Sequence, residues 1–180
     1  PVIFFIDEIE KSISGTNGYQ GDSGVSLDQF NVILQELSNN ENGELFFIAT
    51  SNDISKLPPE FTRAERWDAI FFIDFPKENE RCLIWDMYMR TYNHPIQQIP
   101  LDNEWTGAEI KACCRLAAVL DQTLQQAAEN IVPISTTSRD QVSSLREWAN
   151  NRCISASQPG LYRNAVIHNT QKTRRNMIAK

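Results

Sequence analysis

Two adjacent carboxylates, Asp7 and Glu8, follow five successive large apolar residues, Val2 to Ile6. A pair so placed can divide the work of hydrolysis. Asp7 can hold Mg²⁺, directly or through water, because this hard cation takes oxygen ligands and usually keeps several waters. Glu8 can then orient and deprotonate an attacking water. A second apolar stretch, Glu44 to Asp53, reads as another buried strand and ends in a polar cluster led by Asn52. A third group, Arg63 and Arg66, offers two planar, permanently charged forks that can bridge phosphate oxygens. Each feature has a plainer alternative: a core strand with an acidic turn, an Asn/Asp turn, and surface arginines tied to Glu60, Glu65 or Asp68.

The elements that must carry these residues are also legible. The run Val2 to Ile6 shows no alternation, which fits a parallel strand covered on both faces. Such a strand delivers its last residues to the carboxyl edge of the sheet, where ligands of open α/β folds bind. One helix-length segment, Ser26 to Ser38, separates it from the second strand, as a βαβ crossover requires. The segment Ser12 to Ser26 is rich in Gly, Ser and Asn and reads as a mobile loop. A third apolar stretch spans Ile70 to Phe75, and beyond Pro76 the pattern turns helical. Glu78 to Tyr92 carries Leu83, Ile84, Met87 and Tyr88 at helical spacing; Thr106 to Leu120 and Ser138 to Asn150 make two further helices. Thr106 as N-cap with Glu109 three residues on forms a capping box. The chain therefore divides into an α/β part over 1–76, a helical part over 77–150 and a tail over 151–180.

The octapeptide Pro1 to Glu8 resembles the Walker B motif of P-loop ATPases, and Asn52, after the next strand, resembles sensor 1 of the AAA+ ATPases. Leu57 to Asp68, with two arginines three apart followed by an aromatic and an Asp, is similar to the arginine-finger stretch of classical AAA proteins. In that family the arginines reach the γ-phosphate held by the neighbouring subunit. The residue before the second arginine is Glu65 where the classical proteins usually have Gly; a carboxylate there can pair with an arginine, which leaves open whether Arg63 or Arg66 is the finger. Thr106-Gly107-Ala108-Glu109-Ile110 is similar to the start of the lid helix near the nucleotide. The resemblance thus offers Gly107 and Ala108 for backbone contact with base and ribose. No arginine stands at the sensor 2 position, and Lys111 reads as a solvated helix residue. Thr136 to Ala149 and Ser155 to Tyr162 look like the tail of single-module AAA proteins of the Ycf46 type.

The resemblance runs from Pro1 to about Arg163. It implies the C-terminal part of a P-loop parallel-sheet ATPase core, followed by a small all-helical lid and a tail. It further implies ATP and Mg²⁺ as cofactors, hydrolysis in a ring oligomer, a hexamer, and coupling to remodelling of a protein client that it does not name. The loop after Walker B faces the pore of such rings, which makes Tyr19 a pore-contact candidate beside the plain reading of a flexible loop.

No G-x-x-x-x-G-K-[ST] phosphate loop occurs in the 180 residues, although a P-loop ATPase needs one to cradle the phosphates. The expectation is a C-terminal part of a longer product, inactive alone. Its sheet should have a gap before Ile70–Phe75, or an abnormally paired last strand, and should expose an apolar edge that associates readily.

Composition agrees with a globular module, with 41% hydrophobic residues and no apolar run near the roughly 20 residues of a membrane helix. Cys82, Cys113, Cys114 and Cys153 lack C-x-x-C spacing and read as reduced thiols of a cytoplasm or plastid stroma. His94 and His168 are isolated, and the absence of H-E-x-x-H argues against a metalloprotease. The net charge of −6 disfavours a nucleic-acid clamp, yet Arg163 to Lys180 is basic without an acid. Two alternatives stay open: an ATPase-incompetent adaptor supplying arginines in trans, and a nucleic-acid remodelling ATPase.

Overall fold

In the computed structural model, which describes residues 2–14, 32, 35–36, 45–57, 59–62 and 67–164, two strands build the first sheet. β1 (Val2–Ile6) and β2 (Leu45–Ala49) pair in parallel, with Val2 opposite Leu45 and Ile6 opposite Ala49. Parallel pairing demands a crossover, and Val32, Gln35 and Glu36 within the intervening segment are helical. Cross-strand stacking of Phe4 on Phe47, with centroids 5.3 Å apart, adds to the register. The chain divides into two compact units, Pro1–Ile70 and Phe71–Lys180.

Burial in the first unit corrects one expectation. Val2, Ile3 and Phe5 are 55%, 67% and 63% exposed, so β1 is not covered on both faces. Among the described residues the sheet is only two strands wide, and burial in β2 alternates residue by residue, the pattern of a sheet with one open face. The buried cluster of this unit lies at the carboxyl end of the strands: Ile9, Leu57 and Phe61, packed by Ile6, Ala49, Ile54 and Trp67. Helix α1 (Ile9–Ser14) begins immediately after the acidic pair, so Ser12 to Ser14 belong to a helix rather than to the expected loop; buried Ile9 and Glu10 anchor its first turn. Tyr19 lies outside the described residues.

The second unit is mainly helical: α2 (Glu78–Thr91), α3 (Gly107–Leu120), α4 (Leu124–Ala128), α5 (Ile134–Thr137) and α6 (Arg139–Ala149). Ile110, Cys113, Cys114 and Ala117 face inward at helical spacing along α3 and join Trp85, Trp105, Leu124 and Ala127 in one buried cluster. Thr106 caps α3 as its spacing predicts: its hydroxyl accepts the Glu109 N–H at 3.3 Å, and Glu109 accepts the Thr106 N–H at 2.6 Å. The other Glu109 oxygen accepts the Ile134 N–H at 2.5 Å. The cap thereby also fixes the start of α5. Helices α4 and α5 span one turn or little more, too short for apolar periodicity to reveal them.

The strand expected over Ile70–Phe75 is reduced to β3 (Phe71–Phe72), which pairs in parallel with β4 (Ile154–Ser155) in a sheet of its own. Asp74 holds this corner together. It accepts Arg146 Nε at 2.8 Å and the Tyr162 hydroxyl at 2.6 Å, and the Arg146 guanidinium lies 4.9 Å from the Phe75 ring centroid. Burial, followed by the bond to Asp74 and its charge, raises the Tyr162 hydroxyl well above the ordinary tyrosine range. Of the four cysteines, Cys113, Cys114 and Cys153 are buried, Cys82 is exposed, and all are free thiols. Among the described residues no helix is long and apolar enough to cross a membrane.

Candidate functional site

In-register pairing of β1 with β2 brings their carboxyl ends side by side, and the polar residues that follow each strand meet there. The Thr50 N–H donates to the Ile6 carbonyl and the Ile9 N–H to the Thr50 carbonyl, each at 2.9 Å. Between those bonds Glu8 turns the chain at φ 49°, in the left-handed region that costs a non-glycine residue about 1 kcal/mol. The turn takes the chain from strand to helix in two residues and leaves Asp7 exposed and Glu8 half-buried.

Each acid is held by named donors. The Thr50 hydroxyl donates to Asp7 Oδ1 and accepts the Glu8 N–H at 3.0 Å. Asn52 Nδ2 donates to Glu8 Oε1 at 2.7 Å, and Lys11 Nζ, one turn along α1, pairs with Glu8 Oε2 at 2.5 Å. That bond, and then the charge of Glu8, raises the Lys11 amine above its ordinary value. The pair is largely exposed, so solvent screens it. Asn52 is fixed from a second side, because its own N–H donates to Glu10 Oε1 at 3.1 Å, and Glu10 is only 3% exposed. Asp53 then caps the short 3₁₀ turn Ile54–Lys56. The Ser55 hydroxyl, with further bonds from Lys56 and the Ser55 N–H, outweighs burial and lowers the Asp53 carboxyl below its ordinary value.

The structure therefore brings Asp7, Glu8 and Asn52 into one hydrogen-bonded edge. Its oxygen donors suit Mg²⁺: Thr50 engages Oδ1 of the exposed Asp7 and leaves Oδ2 for a hydrated cation. Among the described residues no group of three or more His, Cys, Asp or Glu side chains converges on a metal position; a cation held here would complete its shell with water and phosphate oxygens. Arg63 and Arg66 lie outside the described residues. Gly107 and Ala108 open α3 in the second unit, Gly107 half-buried and Ala108 exposed. A Cβ on Gly107 would meet Ile84 Cδ1 at 3.7 Å, an ordinary contact, so packing alone does not demand glycine there.

Three members of this edge escape sequence reasoning: Thr50, Lys11 and Glu10. The signal for Lys11 is positional, since a helix starting directly after Glu8 places its third residue beside Glu8; Glu10, two residues on and bonded to the Asn52 N–H instead, has no such signal. For Thr50 the signal is its place at the end of a strand parallel to the acidic one.

Residues 1–75 match the sequence profile described as ATPase family associated with various cellular activities (AAA). Over 165 residues the chain is 34% identical to the uncharacterized AAA domain-containing protein ycf46 of Pyropia yezoensis, covering 83% of this chain and 33% of that protein. It is 30% identical over 166 residues to the protein of the same name from Guillardia theta, covering 83% and 32% respectively. Similarity also extends to proteasome-activating nucleotidase 1 of Haloferax volcanii, 26% identical over 126 residues, covering 66% of this chain and 31% of that protein. The chain spans about a third of the length of these relatives.

Proposed function

Because residues 1–75 belong to the AAA family of ATPases, we propose that the complete protein binds ATP with Mg²⁺, hydrolyses it in a ring oligomer and couples turnover to remodelling of a protein client. The observation that carries this reading is the edge at the end of β1 and β2, where Asn52 bonds directly to the Glu8 carboxylate and the Thr50 hydroxyl joins Asp7 to the Glu8 main chain. Asp7 would hold a hydrated Mg²⁺. The ion, when bound, neutralises charge on the β- and γ-phosphates. Glu8 accepts a proton from the attacking water, and Asn52 holds both the Glu8 carboxylate and the water in line.

The remaining roles follow from the family resemblance. Arg63 or Arg66 serves the nucleotide of the adjacent subunit, so catalysis depends on assembly, with six subunits as the expected ring. Gly107 and Ala108 present main-chain groups at the start of α3, where the helix terminus leaves N–H groups unpaired within the helix; by the resemblance these are the groups that would contact base and ribose. In sequence terms the segments 1–76 and 77–150 are then core and lid, and 151–180 a tail. The relatives named nucleotidase and ycf46 supply the same direction of inference.

The test uses the protein in its complete reading frame. Asp7→Asn should raise the Mg²⁺ concentration needed for tight binding of a fluorescent ATP analogue, whereas Glu8→Gln should bind the analogue as wild type does and fail to release phosphate. Equal Mg²⁺ dependence in Asp7→Asn and wild type would remove the metal-holding role. Undiminished phosphate release by Glu8→Gln would remove the base.

A further inference from the structure

We propose that Thr50 is the positioning residue of this edge: one hydroxyl fixes the Asp7 carboxylate and the Glu8 main chain together, and so sets where the metal-holding and proton-accepting oxygens stand. The inference deepens the ATPase reading above and rests on it.

A threonine hydroxyl has one proton to donate and two lone pairs. Here the proton goes to Asp7 Oδ1 and a lone pair takes the Glu8 N–H at 3.0 Å. The main chain of the same residue bonds to both sides of the acidic pair, with its N–H on the Ile6 carbonyl and its carbonyl on the Ile9 N–H. Four bonds from Thr50 thus straddle Ile6 to Ile9, the segment in which Glu8 holds its left-handed φ of 49°. The side-chain half of this arrangement is what chemistry would sense. Commitment of Oδ1 to the hydroxyl defines which Asp7 oxygen is left for a hydrated cation. The bond to the Glu8 N–H fixes the Cα from which the base projects, while Asn52 and Lys11 hold the carboxylate at the far end of that side chain. Serine could supply the hydroxyl but not the β-branched shape; valine keeps the shape and removes the hydroxyl. The two substitutions therefore separate hydrogen bonding from packing.

In the complete protein, Thr50→Val should lower kcat by about 10- to 100-fold, the scale of a small misplacement of reacting groups, with KM for ATP unchanged. It should also raise the Mg²⁺ concentration needed for binding of a fluorescent ATP analogue. Thr50→Ser should stay near wild type in both. Wild-type turnover by Thr50→Val, or an equal loss in Thr50→Ser, would overturn the inference. Hydrogen exchange of the Glu8 amide, followed by NMR, reads the same bond without turnover. Exchange should quicken in Thr50→Val and not in Thr50→Ser, and equal rates in all three proteins would overturn the positioning role. If the wild-type protein binds nucleotide but releases no phosphate, the ATPase reading fails by itself and the amide exchange alone decides about Thr50. Should Thr50→Val not fold, Thr50→Ala also lacks the hydroxyl and is read in the same way.

Discussion

At the scale of single residues, the two carboxylates differ in what holds them. Asp7 receives a hydroxyl from Thr50, whereas Glu8 receives an amide and an ammonium, Asn52 on one oxygen and Lys11 on the other. Neutralising Glu8 therefore removes a proton acceptor and loosens Asn52 as well. Loss of Asn52 alone should be milder than loss of Glu8. We expect Asn52→Ala to reduce phosphate release by about 10- to 100-fold, less than Glu8→Gln, with single-turnover kinetics as the measure. The cysteines make a second prediction. Burial pushes the Cys113 thiol up to about 11 and the Cys114 thiol up to about 12, so both are protonated at neutral pH and enclosed. Alkylation at pH 8, read by peptide mass spectrometry, should label the exposed Cys82 and spare Cys113, Cys114 and Cys153. Labelling of Cys113 or Cys114 in the native protein would show that the α2–α3 core opens.

Elements were legible to the degree that their physics is local. Helices α2, α3 and α6 each carry several apolar or capping signals and lie within a residue or two of their expected spans. The pairing of β1 with β2 follows from two apolar runs and one crossover. By contrast, β4 has two residues and gains its partner from far upstream, and the Asp74–Arg146–Tyr162 corner joins residues that no short-range pattern connects. The same distinction applies to the site. Asp7, Glu8 and Asn52 stand out because hydrolysis needs those residue types after strands, whereas Thr50 is an ordinary strand-end residue until the register places it beside the acids. Burial of β1 was misjudged because an apolar run records what a strand can bury, and not what covers it. The helical core offers a stability test. Trp85 is fully buried, packs against Trp105 at 6.0 Å between ring centroids and donates to Asp102 at 2.9 Å. Trp85→Ala should cost about 3–5 kcal/mol, measured as a lower denaturant midpoint for the second unit. A loss below about 1 kcal/mol would mean the core repacks around the gap.

For the whole molecule, exposed apolar surface on β1 and β2 sets the expectation. Ile3 and Phe5 on one strand, with Phe46 and Ile48 opposite them on the other, form an open apolar face that favours association. The chain by itself should therefore self-associate as its concentration rises, measured by light scattering, and substitution of Ile3 and Phe5 by polar residues should reduce this. In the proposed reading assembly has a catalytic meaning, since Arg63 or Arg66 would serve a neighbouring subunit. The most direct measurement is steady-state phosphate release by the complete protein across a range of protein concentrations, with Glu8→Gln alongside. The account predicts turnover per subunit that rises with concentration in the wild type and is absent in the variant at every concentration. Turnover that Glu8→Gln leaves intact, or its absence from a wild-type protein saturated with ATP and Mg²⁺, would contradict it.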